Sequence, residues 1–523
     1  MATASSTSPL PVPPRLRRGS PPRGLVLAAV GTAALTLLPL VFVVIEARTI
    51  SWGAAVDLLI RPRVASLLTN TLTLLVAVTL LCMVLGVAAA WCVERTSLPG
   101  RRIWTMLLVL PLGVPEFVNS FSWVSLDATR FQGFRGALLV TTLSYYPFIY
   151  LPAAAALRGS DPALEEAARS LGLGPWRTFW RVTLPQLRVA ILGGGLIIAL
   201  HLLAEYGAFA TLRFPTFATE IFAEYQLGFD GASAALLSLV VVVLSVVFLA
   251  GELGLIGRTR YARIGSGAAR ARRPLDLGRA TPVAVAGVGL LVALALGVPV
   301  ATLVYWLIHG GSTTLPSASI LGAAGTTFAL SAAAALLTAL IALPVAVLAV
   351  RHRSRVSMLL ERSAYLARAL PGIVIALALI SFSIRLVHPL YQTQTLLVVA
   401  YAILFLPLAL VAIRGTLVQV PPRLEEVART LGLRPLGAFR RVTLPLIAPG
   451  LGAAAALVFL SAATELTATL LLRPTGSETL ATQFWNYQTS LAFGAAAPYA
   501  ALMVGICAPA TYFLIRRLDT LAT

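Results

Sequence analysis

Leu164-Glu-Glu-Ala-Ala-Arg-Ser-Leu-Gly-Leu-Gly-Pro175 and Leu424-Glu-Glu-Val-Ala-Arg-Thr-Leu-Gly-Leu-Arg-Pro435 are two copies of one stretch, 260 residues apart. They run on to Arg181-Val-Thr-Leu-Pro185 and Arg441-Val-Thr-Leu-Pro445, and 15 of the 22 aligned positions are identical. Pro162 and Pro422 suit the first turn of a helix, where no backbone donor is lost. Leu164, Ala168 and Leu171 fall on one apolar stripe, as do Leu424, Ala428 and Leu431. The spacing sets Glu165 against Arg169 and Glu425 against Arg429 as i,i+4 pairs. Gly172 and Gly432 then end the helix and allow a sharp bend. Each copy therefore reads as a short bent amphipathic pair. A single such element often rests on lipid headgroups, but two near-identical copies in equivalent places point to two docked copies of one partner.

Outward from these loops the chain is apolar. Of its 523 residues 58% are hydrophobic and only 11% charged, with a mean hydropathy of +0.88. Soluble domains carry roughly 25% charge, so most of this chain faces lipid. Twelve runs are long enough to span a bilayer. Six lie at Leu25–Ile45, Ser66–Val93, Ile103–Val124, Gly136–Leu157, Leu187–Leu212 and Ala232–Ile256. Six more lie at Pro282–Ile308, Ala318–Val350, Ala364–Ile384, Thr395–Ile413, Ile447–Leu472 and Ala495–Ile515. Placing the N-terminus in the cytoplasm puts 31 arginines in inner segments and 8 in outer ones, with Arg368 inside a span. That asymmetry obeys the positive-inside rule and sets both duplicated loops, and both termini, on the cytoplasmic side. An even number of spans per half gives the halves the same orientation, the parallel type of repeat. The expected fold class is thus all-α and polytopic, two parallel six-helix repeats of about twelve transmembrane helices with two cytoplasmic loop helices.

All 40 basic residues are arginine. Without lysine the chain has no P-loop and no amine for Schiff-base chemistry, so ATP-driven work requires a separate subunit. The arginines are divided among short loops, which disfavours nucleic acid as a partner despite the net charge of +20. Cys82, Cys92 and Cys507 are too few and too scattered for a disulfide scaffold and are expected as buried thiols. His201, His309, His352 and His388 show no metal-ligand spacing, and no catalytic set stands out. Ionisable residues inside spans are functional candidates. Glu205 and Glu465 match at the 260 offset, each one span beyond a duplicated loop, with His201 and Ser461 one turn before them; these four are the expected translocation-pathway residues. Against that role stand helix-locking hydrogen bonds and ion pairs to Arg213 and Arg473. Glu116 follows Pro115 and answers to Gly372 after Pro371. Glu220, Glu224 and Asp230 make an outer segment acidic.

The doubled Glu-Glu-Ala-Ala…Gly…Leu-Pro pattern resembles the EAA loop of binding-protein-dependent ABC importer permeases, and the resemblance covers the chain beyond its N-terminal tail. It implies a permease subunit rather than an enzyme, in the bacterial inner membrane, receiving substrate from an extracytoplasmic binding protein. It also implies two copies of an ATP-binding subunit, which hold ATP and magnesium, this chain carrying no cofactor. By matching position Glu165, Glu166, Ala168 and Gly172 would meet one ATPase and Glu425, Glu426, Ala428 and Gly432 the other, with Val427 packing in place of alanine. Two fused six-span units with Glu205-Tyr-Gly207 look most like ferric-iron-type permeases; thiamine and aminophosphonate permeases are similar, and an ion-coupled secondary transporter is a further alternative. The implied division is a disordered basic tail (1–24), a first permease domain (25–256, coupling loop 161–185), a linker (257–281) and a second permease domain (282–517, coupling loop 421–445).

Overall fold

The computed structural model describes residues 21–159, 162–256, 275–311, 318–352 and 354–520. Most of the expected tail and linker lie outside them. Helices make up the architecture, and the only extended pairing among the described residues is a bridge between Thr96 and Leu275. Eight helices are long and apolar enough to cross a membrane, and three further pairs cross only as bent units. Helix Phe493–Thr520 occupies the place of the twelfth expected span.

Lipid exposure is written on the helix surfaces. On helix Pro62–Arg95, Val76, Leu80 and Val84 stand outward at four-residue intervals, while Leu74, Val78 and Cys82 are buried behind them. Helix Ala318–Arg351 has the same length of 34 residues and exposes Leu336 and Leu340, 256 positions beyond Leu80 and Val84. Hydroxyls inside these helices bond back to carbonyls four residues earlier, as Thr141 does to Ala137 and Thr338 to Ala334. This satisfies groups that lipid cannot.

Three of the units are bent. The run from Ile103 turns by 91° between Arg101–Gly113 and Glu116–Val124, and the run through Ala364 turns by 107° between Arg355–Ala369 and Gly372–Leu386. Pro115 and Pro371 sit at these turns, where each removes a backbone donor. The third bend, of 64°, lies between Trp176–Gln186 and Arg188–Ala204, and the expected run Leu187–Leu212 has a further break within it. Arg188–Ala204 stops before Glu205, and a short helix, Gly207–Thr211, begins beyond it. In the second half Leu444–Ala463 stops in the same way and Thr467–Leu472 resumes.

The halves exchange their first spans. Helix Arg23–Ala47 packs on Ala318–Arg351, Arg355–Leu366 and Gly372–Leu386 of the second half as well as on Gly231–Ile256 of its own. At its end Glu46 accepts from Ser381 Oγ and Arg385 Nη2, both at 2.7 Å. Reciprocally, Val298–His309 packs on Glu116–Val124, where Trp306 Nε1 donates to Ser125 Oγ at 3.1 Å. Cys82 and Cys507 are buried as expected, whereas Cys92 is only half-buried.

Candidate functional site

The duplicated loops fold alike. Pro162–Ser170 and Pro422–Thr430 are nine-residue helices, each followed by a four-residue turn of helix and a wider five-residue turn, Phe179–Thr183 or Phe439–Thr443. Gly172 and Gly432 end the first helices with φ of +83° and +89°, a region open to glycine at little cost. The next residues close the bend, Leu173 N donating to Ala168 O and Leu433 N to Ala428 O, both at 3.1 Å.

What anchors each elbow differs from the local pairing expected. Glu165 turns inward to Arg95, at the end of helix Pro62–Arg95, with 3.4 Å between them. It also accepts from Thr183 Oγ1 at 2.9 Å. Glu425 does the same with Arg351 at 3.2 Å and with Thr443 Oγ1 at 2.7 Å. Arg169 and Arg429, the expected partners, are exposed. Ala168 and Ala428 are each 6% exposed, so the chain itself covers them. The outward surface is made by Glu166, Leu164 and Leu171 in one copy and by Glu426, Leu424, Val427 and Leu431 in the other. The apolar stripe expected along Leu164, Ala168 and Leu171 is therefore split, and Val427 is exposed. Sequence reasoning missed Arg95, Arg351, Thr183 and Thr443. The threonines lay in the repeated Arg-Val-Thr-Leu-Pro segment; the arginines are 256 apart, out of register with the motif.

Further into the membrane, Glu205 and Glu465 lie at the helix breaks rather than within helices. Glu205 Oε1 accepts from Ala208 N at 2.6 Å and Glu465 Oε1 from Ala468 N at 2.9 Å, so each carboxylate caps the short helix that follows. The expected face joining His201 to Glu205 does not form. His201 Nδ1 lies 2.8 Å from Ile197 O, and the ring packs at 4.9 Å from Phe148 and 5.8 Å from Tyr145. Ser461 is half-buried on Leu444–Ala463. Among the described residues no ion pair joins Glu205 to Arg213 or Glu465 to Arg473. The fold does bring the two breaks to one place. Leu466 and Phe117 crowd Gly207, where an added Cβ would stand 2.8 Å from Leu466 Cδ2 and 3.0 Å from Phe117 Cβ. Glu116, Glu205 and Glu465 thus lie within electrostatic reach of one another.

Glu220, Asp230 and Asp127, from segments expected to face outward, are engaged within the chain. Glu220 is paired with Arg63 at 2.8 Å. Asp230 caps helix Gly231–Ile256 through Ser233, whose hydrogen bonds hold its carboxyl below the usual carboxylate range. Asp127 likewise accepts from Thr129 N and Arg130 N. A cavity of about 610 Å³ opens between the halves, with Tyr225 and Gln226 from one, and Tyr391, Gln392, Arg473 and Glu478 from the other.

The chain matches the family described as "Binding-protein-dependent transport system inner membrane component" twice, over residues 82–253 and 339–520. It is 40% identical over 490 residues to the Fe(3+)-transport system permease protein FbpB 2 of Haemophilus influenzae, an alignment covering 92% of this chain and 96% of that protein. Shorter likenesses reach the sulfate transport permease CysW of Synechocystis, 30% identical over 31% of this chain and 68% of that one. The molybdenum transport permease ModB of Escherichia coli is 33% identical over 24% of this chain and 62% of its own length.

Proposed function

This chain belongs to the family of binding-protein-dependent transport system inner membrane components, and from that premise we propose that it is the fused, double-length permease of an ATP-driven importer whose cargo is ferric iron. The likeness to an Fe(3+)-transport permease over nearly both full lengths supports the iron assignment. One observation carries the coupling mechanism: two elbows of the same build, each locked to the end of a long span by an arginine–glutamate pair and a threonine. An elbow so tethered moves with its span. A force applied to its outward face is passed to the membrane helix instead of being lost in a hinge.

The outward faces are the docking surfaces for two copies of an ATP-binding subunit, Glu166 and Glu426 contacting the partner while Glu165 and Glu425 hold the elbow from behind. Gly172 and Gly432 set the bend, and Ala168 and Ala428 let the elbow sit close to the core. ATP-driven closure of the two subunits would draw the elbows together and bias the halves toward one arrangement. Cargo arrives on an extracytoplasmic binding protein at the cavity between the halves and passes the helix breaks at Glu205 and Glu465. Residues 25–256 and 282–517 form the two permease units, and both termini are cytoplasmic.

Vesicles containing the permease and its ATP-binding subunit should accumulate iron from the loaded binding protein only when ATP is present. Uptake by the permease alone, driven by a proton or sodium gradient, would refute the reading. Gly172→Pro combined with Gly432→Pro should abolish co-purification of the ATP-binding subunit with membrane insertion intact.

A further inference from the structure

The two halves share a fold at the centre but not a chemistry. In the second half Gly372 follows the break at Pro371, and a Cβ built on it would stand 3.1 Å from Glu465 Oε1 and 3.8 Å from the Leu404 side chain. Gly372, Leu404 and Glu465 are thus mutual neighbours, with Ile375 buried one turn along the same helix. The matching positions in the first half are Glu116, Ser144 and Glu205, with Asn119 for Ile375 and Tyr145 for Phe405. Beside its glutamate, one half places glycine and hydrocarbon and the other places further oxygens.

These oxygens are held in place. Asn119 Nδ2 donates to Ser144 Oγ at 2.7 Å, which turns the amide and joins helix Glu116–Val124 to helix Gly133–Tyr145. Asn119 and Tyr145 are each 1% exposed, and among the described residues neither Asn119 Oδ1 nor the Tyr145 hydroxyl has a hydrogen-bond partner. The Tyr145 hydroxyl lies within electrostatic reach of both Glu116 and Glu205. A buried polar group left unpaired costs about 1–3 kcal/mol. At the matching positions the second half carries Ile375 and Phe405, so the repeat as such does not require these polar groups. Among the described residues no three His, Cys, Asp or Glu side chains gather as metal ligands; neutral oxygens have to complete any set here. Carboxylates with amide and hydroxyl oxygens are the donors that hard cations select.

We infer that the first half alone carries a way-station for a hard cation, built from Glu116, Asn119 Oδ1, the Tyr145 hydroxyl and the free oxygen of Glu205. It rests on the import reading above and places the cargo off the pseudo-twofold axis, held by one half. Its test uses terbium, a hard trivalent ion, with bound metal counted per permease after equilibrium dialysis so that the readout does not depend on Tyr145. The full chain in phosphatidylcholine nanodiscs should bind terbium saturably. Glu116→Gln, and separately the pair Asn119→Ile with Tyr145→Phe, should weaken binding at least about tenfold, the loss that even outer partners of a metal site cause. Melting temperature and co-purification of the ATP-binding subunit should hold. Transplanting the oxygens with Gly372→Glu, Ile375→Asn and Phe405→Tyr should create a second binding event. No saturable binding by the unmodified chain, or unchanged binding in both variants, would overturn the site. Iron uptake separates the two readings. Normal uptake by Glu116→Gln with terbium binding unchanged removes the way-station and leaves the importer. Terbium binding lost on substitution, in a chain whose importer moves no iron, keeps the site and removes iron as its cargo.

Discussion

Glu165 and Glu425 occupy matching positions, yet water reaches their two ion pairs unequally. The Arg95 and Glu165 side chains are 6% and 10% exposed, those of Arg351 and Glu425 10% and 27%. Removing one partner of a buried pair leaves an uncompensated charge and costs about 3–5 kcal/mol, whereas a pair that water reaches loses far less. Glu165→Ala should therefore lower the melting temperature of the permease in nanodiscs clearly more than Glu425→Ala, with Glu165→Gln intermediate because it keeps an acceptor for Thr183. Equal shifts for the two alanine variants would show that exposure does not set the strength of the tethers, and no shift in either would show that the tethers are not what hold the elbows. The carboxylates were legible in the sequence as members of a repeat, but their partners were not. A local rule pairs Glu165 with the arginine one turn away, while folding delivers Arg95 from 70 positions earlier. The motif repeats at 260 and the arginines at 256, so the register that exposes the one conceals the other.

At the scale of elements, the bends at Pro115 and Pro371 carry a signal in the sequence, since proline interrupts the hydrogen-bond ladder. The breaks at Glu205 and Glu465 carry none that hydropathy can register, because both lie in continuous apolar runs. What marks them is the carboxylate itself, which ends one helix and caps the next. Capping by a side-chain oxygen is worth about 1 kcal/mol, and this role persists if the oxygen is kept and the charge removed. Glu205→Gln with Glu465→Gln should therefore leave amide exchange at Ala208 and Ala468 slow, while iron uptake falls. Glu205→Ala with Glu465→Ala should speed exchange at both amides by roughly fivefold, the rate change that about 1 kcal/mol corresponds to. Slow exchange in the alanine pair would remove the capping role; full uptake in the glutamine pair would leave capping as the only one.

At the scale of the molecule, the parallel arrangement of halves follows from the count of spans and the placement of arginine, but the exchange of first spans does not. Hydropathy reports that a helix meets lipid, not which neighbour it meets. The contacts are specific all the same. Phe42 lies edge-on to Phe382 with 5.3 Å between centroids, Thr32 Oγ1 donates to Ile341 O at 3.0 Å, and Glu46 holds Ser381 and Arg385. Near the end of the linker, Leu275 N donates to Arg95 O at 2.8 Å and Ser97 N to Leu275 O at 2.9 Å, fastening the approach to the second half beside the first elbow. A covalent linker raises the effective concentration of the two halves, but it adds little once each half grips the first span of the other. Opening the chain between Gly265 and Ser266 and expressing the pieces together should therefore yield one complex that migrates at the mass of the intact permease and retains ATP-dependent uptake. The bridge from Leu275 to Arg95 would survive the cut, since both residues lie outside it. Pieces that separate on size exclusion would mean that the linker, rather than the exchanged spans, holds the halves together.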